Sequence, residues 1–213
     1  MTVAVKICGL KDRAAVAAAI SGGADLVGFV FFAPSPRYID PDAAGALGAT
    51  VPKRVVKVGL VVDGDDATLA KIVAGANIDM LQLHGAETPE RAAAIRRCFG
   101  LPVMKVLPVA TAADVDKAAA FESVVDRFLF DAKPPKEATR PGGNAAAFDW
   151  TLLKGRRLPK PWLLAGGLTA ANVAEAVRQS GAAAVDVSSG VEDAPGIKNP
   201  EKIIEFLRVA KAL

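Results

Sequence analysis

The sequence is poor in the residues that bind metals or cross-link chains. Its 213 residues include one histidine, His84, and two cysteines, Cys8 and Cys98. A site built from several histidines or a CxxC pair is excluded, so no metal is expected. Two cysteines make no disulfide framework, which fits a reducing, cytoplasmic setting. No apolar run approaches the length of a membrane span. The net charge of +3 is spread along the chain, with no run of five like charges and no basic stripe with interleaved aromatics. Neither nucleic acid nor a membrane is therefore an expected partner. The chain opens directly on a strand pattern, so no secretory leader is expected. What remains is an ordinary globular composition, 52% hydrophobic and 23% charged, with material for a sizeable core.

The organisation is an alternation of strand and helix patterns. Apolar runs begin near Val3, Leu26, Val55, Ile78, Pro102, Phe128, Pro161 and Ala184. Most of the gaps read as helices. Asp12 can cap one that begins near Arg13, is rich in helix formers over Ala14–Ala19 and ends at Gly22-Gly23, and Pro41–Leu47 allows only a short one. Leu69, Ile72, Val73 and Ala76 share a face behind a cap at Asp65 or Asp66. Thr88 caps and Pro89 opens the next, with Ala92, Ile95 and Phe99 inward. Thr111–Phe121 is weakly patterned. Lys133–Asn144 is a Pro/Gly-rich loop, and any helix there starts near Phe148. Thr169 should cap Ala170–Gln179. Asn199-Pro200 should open a last helix with Ile203, Phe206, Leu207 and Ala210 inward. Eight such units predict one (β/α)₈ TIM barrel, class α/β, spanning residues 1–213 as a single domain. An open doubly wound sheet is the alternative, disfavoured by the count of eight and by the lack of a GxGxxG turn after the first run.

In a barrel the chemistry lies at the carboxyl ends of the strands. Cys8 ends the first run, inside Lys6-Ile7-Cys8-Gly9-Leu10. A small apolar filler would also suit that position. Arg37 follows Pro34-Ser35-Pro36, and its planar fork suits a carboxylate, although a surface arginine would look the same. His84 ends the fourth run and reads most simply as a satisfied strand-end histidine. Cys98, on the fourth helix, reads as structural. Asp131 follows Phe128-Leu129-Phe130, and a carboxylate ending a buried strand must be paired or functional. Gly166-Gly167 after the seventh run, and Asp186-Val187-Ser188-Ser189-Gly190 after the eighth, suit a phosphate, although the glycines would also serve merely to permit tight turns. Their N–H groups, aided by a short helix around Asp193, would make an anion site.

Together these stretches resemble a known family. The residues are Lys6-Ile7-Cys8-Gly9-Leu10, Gly28-Phe29-Val30-Phe31, Ser35-Pro36-Arg37, Gln82-Leu83-His84-Gly85, Phe130-Asp131, Phe148-Asp149-Trp150, Leu164-Ala165-Gly166-Gly167-Leu168 and Asp186-Val187-Ser188-Ser189-Gly190-Val191-Glu192. They resemble, over essentially the whole chain, the phosphoribosylanthranilate isomerases of tryptophan biosynthesis. The resemblance implies an Amadori rearrangement of N-(5-phosphoribosyl)anthranilate by general acid–base catalysis. Cys8 is then the base and Asp131 the acid. Arg37 binds the carboxylate, and Gly166, Gly167, Asp186, Ser188, Ser189 and Gly190 bind the rest of the phosphosugar. No cofactor is implied, and a monomer is the default. One departure is Gly143-Asn144-Ala145-Ala146-Ala147, where the family usually carries a threonine, a glycine and often a basic residue. Rival readings are other phosphate-binding barrel enzymes, and a barrel kept only for binding. A metal-dependent epimerase would want more histidines, and an indole-glycerol-phosphate synthase a better lysine than Lys6 or Lys105.

Overall fold

The computed structural model describes residues 2–134, 142–143 and 147–213. Eight parallel strands close a barrel in sequence order: β1 (Ala4–Cys8), β2 (Leu26–Val30), β3 (Val56–Val61), β4 (Met80–Leu83), β5 (Val103–Val109), β6 (Arg127–Ala132), β7 (Trp162–Leu164) and β8 (Ala184–Val187). The helices between them are α1 (Arg13–Ser21), α2 (Pro41–Gly48), α3 (Asp66–Ala76), α4 (Pro89–Phe99), α5 (Ala112–Asp116), α6 (Val173–Ser180) and α7 (Pro200–Lys211). A hairpin, β9 (Glu192–Ala194) and β10 (Ile197–Lys198), follows β8.

Local chemistry explains most boundaries. Asp12, Asp40, Asp65, Thr88 and Asn199 accept hydrogen bonds from first-turn N–H groups of α1, α2, α3, α4 and α7, and prolines open α2, α4 and α7. The weakly patterned Thr111–Phe121 splits into the short α5 and a 3₁₀ turn, Lys117–Phe121. A second 3₁₀ turn occupies Trp150–Leu153, where the helix after Phe148 was expected. Two expectations need correction. Thr169 is not a cap, because α6 starts only at Val173. Asn172 instead ties the loop down, its side chain accepting from Thr169 N–H at 2.8 Å and donating to Gly167 O at 2.9 Å. Asp193 opens no helix. It lies in β9 and pairs outward with Lys202 and Asn199.

Side-chain alternation along each strand divides the core in two. Val5, Ile7, Val27, Phe29, Leu81, Phe128 and Phe130 point outward and pack beneath the helices. Leu26, Val58, Met80, Met104, Val106, Leu129, Leu163 and Ala184 point inward and fill the lower barrel. Above them the interior turns polar, with Lys6, Gln82 and Asp186 all buried. Cys8, Val30 and Leu60 form the next layer up. The seam between β1 and β8 sets Lys6 opposite Asp186 in register. No described helix is long and apolar enough to cross a membrane.

Candidate active site

An open pocket lies over the carboxyl ends of the strands, where a barrel places its site. Cys8, Arg37, Asp131, Gly166, Gly167, Asp186, Ser188 and Ser189 all line it. Strand alternation puts Cys8 and Lys6 on the same inward face. Lys6 Nζ donates to Asp186 Oδ1 at 2.8 Å and is fully buried. A Cβ added to Gly28 would lie 3.0 Å from Cys8 Sγ and 3.1 Å from Lys6 Nζ. The glycine therefore makes room for both groups, and they are neighbours. Burial pushes the Cys8 thiol up. The Lys6 ammonium pulls it down, Asp186 pushes it up, Lys198 pulls it down, and the net is upward. Burial likewise opposes the charge on Lys6, but Asp186 and Cys8 outweigh it and hold that amine above its ordinary range.

Asp131 stands across the ring. Its Oδ1 accepts from Ala132 N–H at 2.8 Å, and its Oδ2 lies 3.5 Å from His84 Nε2. His84 is not the satisfied residue the sequence suggested. Its Nδ1 is 3.4 Å from Gln82 Nε2, and its Nε2 is buried without a hydrogen-bond partner among the described residues. Gln82 Oε1 is in the same position. Gly142 crosses above, where a Cβ would come within 2.8 Å of both His84 and Asp131 Oδ2. Unpaired buried polar atoms in a polar pocket point to a ligand that completes them.

Arg37 is a buried group, 4% exposed, and not a surface arginine. Its Nε and NH2 donate to the two oxygens of Glu192 at 2.7 and 2.8 Å. Lys198 Nζ donates to Glu192 Oε1 at 2.7 Å, to Ser188 O at 2.8 Å and to Ser188 Oγ at 3.2 Å. Burial would push Glu192 up, but Arg37 and Lys198 outweigh it and hold the carboxyl below its ordinary range. Burial dominates at Lys198 and lowers it despite Glu192.

The glycines after β7 take left-handed conformations, Gly166 at φ +91° and Gly167 at φ +63°. Successive residues turned this way let backbone N–H groups converge on one point. Where the short helix around Asp193 was expected, the chain makes instead a 3₁₀ turn at Ser189–Val191. Gly190 does not line the pocket. It packs against the β7 loop, where a Cβ would lie 1.9 Å from Leu168 O. Cys98 is exposed on α4, so the structural role expected for it is not seen. The Asn144-Ala145-Ala146 departure lies outside the described residues. Among those residues no group of three or more His, Cys, Asp or Glu side chains is placed to hold a metal.

Sequence reasoning missed Lys6, Gln82, Glu192 and Lys198 as parts of this site. Two of the four had a readable signal. Lys6 is two residues from Cys8, and Gln82 two from His84, so each shares an inward face with its partner. Glu192 closes the strand-8 stretch that carries the resemblance but had no local mark of a role, and Lys198 had no signal, because only the hairpin carries it back over the barrel.

A closed parallel (β/α)₈ barrel with a polar pocket at its carboxyl-terminal rim defines the class, that of the barrel enzymes. Within it the particular lineage is clear. The family described as N-(5'phosphoribosyl)anthranilate (PRA) isomerase matches residues 5–209. The chain is 61% identical over 211 residues to the N-(5'-phosphoribosyl)anthranilate isomerase of Paramagnetospirillum magneticum, covering 99% of this chain and 98% of the relative. It is 55% identical to that of Paracoccus denitrificans, covering 100% and 99%. The crystal structure of the Thermotoga maritima phosphoribosyl anthranilate isomerase superposes with a TM-score of 0.86 at 33% identity, covering 99% of this chain and 100% of that one. A phosphoribosyl anthranilate isomerase solved with reduced 1-(o-carboxyphenylamino)-1-deoxyribulose 5-phosphate gives 0.83 at 32%, with the same coverage. The chain belongs to the phosphoribosylanthranilate isomerase family, the aldose–ketose isomerases of tryptophan biosynthesis.

Proposed function

We propose that this chain converts N-(5-phosphoribosyl)anthranilate to 1-(2-carboxyphenylamino)-1-deoxyribulose 5-phosphate with Asp131 as acid and Cys8 as base. The observation that carries the assignment is their placement, on near-opposite sides of one pocket at the strand ends. Asp131 gives its proton to the furanose oxygen as the C1–O bond breaks, and the anthranilate nitrogen lone pair forms the Schiff base. The Cys8 thiolate then takes the proton from C2. The C2–H electrons become the C1=C2 bond of an enolamine, and the iminium electrons return to nitrogen. A proton moving from the C2 hydroxyl to C1 leaves the ketone. Every step is a proton transfer, so side chains of suitable ionisation suffice.

The remaining groups bind. Arg37 takes the anthranilate carboxylate. Gly166, Gly167, Ser188 and Ser189 surround the phosphate, with Gly190 holding the two loops together, and Asp186 faces the sugar. The reading treats 1–213 as one domain, a monomer working in the cytoplasm on a small phosphosugar. A related T. maritima structure is described as a monomer generated from a dimer, so oligomeric state belongs to the test. The experiment is a fluorescence assay with phosphoribosylanthranilate made in situ, run beside sedimentation of the same sample. Loss of substrate fluorescence that Asp131→Asn abolishes supports the reading. Turnover indifferent to both Cys8→Ser and Asp131→Asn refutes it.

A further inference from the structure

Two buried cations, Arg37 and Lys198, share the single carboxylate of Glu192, and among the described residues no other carboxylate is bonded to either. Their side chains are 5%, 0% and 4% exposed in the order Arg37, Lys198, Glu192. Among the described residues the cluster thus sets two buried basic side chains against one carboxylate, and a buried excess of positive charge calls for a counter-ion. Glu192 grips the guanidinium along its Nε–NH2 edge. Nη2 also donates to Gly143 O at 3.4 Å, and Nη1 alone is left without a hydrogen-bond partner among the described residues, at the rim of the pocket.

The rest of Arg37 is held as firmly. A Cβ on Gly9 would stand 2.7 Å from Arg37 Cδ, so the stem lies flat on that glycine. The loop itself is pinned by the hairpin. Gly196, at φ +80°, turns β9 into β10, and a Cβ there would stand 2.2 Å from Pro36 O. Lys11 Nζ donates to the same oxygen at 3.2 Å.

We propose that the β9–β10 hairpin is a bracket for substrate selection: Glu192, held by Lys198, fixes Arg37 so that its Nη1 group meets an aryl carboxylate. Glu192 and Lys198 are positioning residues and touch no substrate. Arginine loses much rotamer freedom when it binds a ligand, and the bracket removes that loss beforehand. The inference rests on the reading of Arg37 as the carboxylate-binding group.

The test compares two inhibitors, the reduced carboxyphenylamino-deoxyribulose phosphate and its phenylamino counterpart lacking the carboxylate. A charge-assisted contact should make the first at least about tenfold tighter in the unmodified enzyme. Arg37→Ala should bring the ratio to about one. Glu192→Gln should bring it below about threefold while the carboxylate-free inhibitor binds nearly as before, because the phosphate loops are untouched. In an Arg37→Ala background Glu192→Gln should change the ratio no further. Gly196→Ala gives a second route, since it parts hairpin from loop without stranding a charge. It should lower the ratio in the same way, and it decides the matter if Glu192→Gln does not fold. A folded Glu192→Gln or Gly196→Ala enzyme that keeps or raises the ratio overturns the bracket. If the unmodified enzyme does not discriminate, or Arg37→Ala still does, the carboxylate assignment itself fails and the bracket with it.

Discussion

Replacing Lys6 by methionine is the most exacting perturbation of this site. It removes one positive charge, keeps most of the volume, and leaves the Cys8 thiol where it is. Sγ and Nζ both lie about 3 Å from the point where a Gly28 Cβ would stand, so they are no more than about 6 Å apart. At an effective dielectric of about 20, unit charges that far apart interact by roughly 2.8 kcal/mol, or about two pK units. The sign is fixed. Losing the ammonium disfavours the thiolate, and the Asp186 charge left behind disfavours it further. The acidic limb of the kcat/KM profile should therefore move up by about one to two pH units, with activity recovering in alkali. Asp186→Asn removes the opposing charge and should move the limb down. The direct assay is the pH dependence of Cys8 alkylation by iodoacetamide in a Cys98→Ser background, free of any substrate contact. Lys6→Met also strands Asp186, so a stability loss toward the low end of about 3–5 kcal/mol is expected, softened because Asp186 borders the pocket. Limbs that coincide in all three folded proteins would show that Lys6 serves only the packing of the barrel.

Other perturbations test other parts. Cys8→Ser and Asp131→Asn should each cut kcat by at least about a hundredfold, whereas Cys98→Ser should leave it unchanged. Near-normal turnover in folded Cys8→Ser would remove the thiol as base. Gly190→Ala sets a methyl against Leu168 O and should force the β7 and β8 loops apart. KM should rise and sulfate should cease to compete, and an unchanged KM would free those loops of any phosphate role. Asp114 accepts from Lys117 Nζ and from Ala110 and Thr111 N–H. Lys117 first, then those N–H groups, hold its carboxyl far below the ordinary range. Its stabilisation is thus complete above the unfolded value of about 3.9 and fades as pH falls toward the depressed native one. Asp114→Asn should cost about 1 kcal/mol at neutral pH, and the gap in urea midpoints should narrow steadily below about pH 4. A gap constant across that range would assign the loss to shape alone.

The barrel was legible because its determinants are local. Eight apolar runs and caps such as Asp12, Thr88 and Asn199 each act within a few residues, and they place strands and helices almost where they lie. The candidate site was legible where residue type and strand end coincide, as at Cys8 and Asp131. It was illegible where a side chain's meaning depends on a distant partner. Arg37 looks like any loop arginine until Glu192 arrives, 155 residues later in the chain. Thr169 carries every local mark of a cap, yet the loop after β7 spends two more residues turning before Asn172 can take hold. The same three-dimensional dependence made His84 look satisfied, since its unmet Nε2 becomes evident only beside Asp131.

The Lys6–Asp186 pair closes the ring between the first strand and the last, across 180 residues of sequence. Folding must therefore reach its final pairing before the ammonium beside the thiol has its carboxylate. Contacts so far apart in sequence form late when loop closure limits the rate. A collapsed chain with seven strands docked has the thiol and the ammonium together on β1, without the carboxylate that offsets that ammonium. Reactivity at Cys8 then becomes a clock for ring closure, with exposed Cys98 as an internal standard that labels throughout. Pulsed alkylation during refolding would time the sealing of the cylinder separately from the gain of helix.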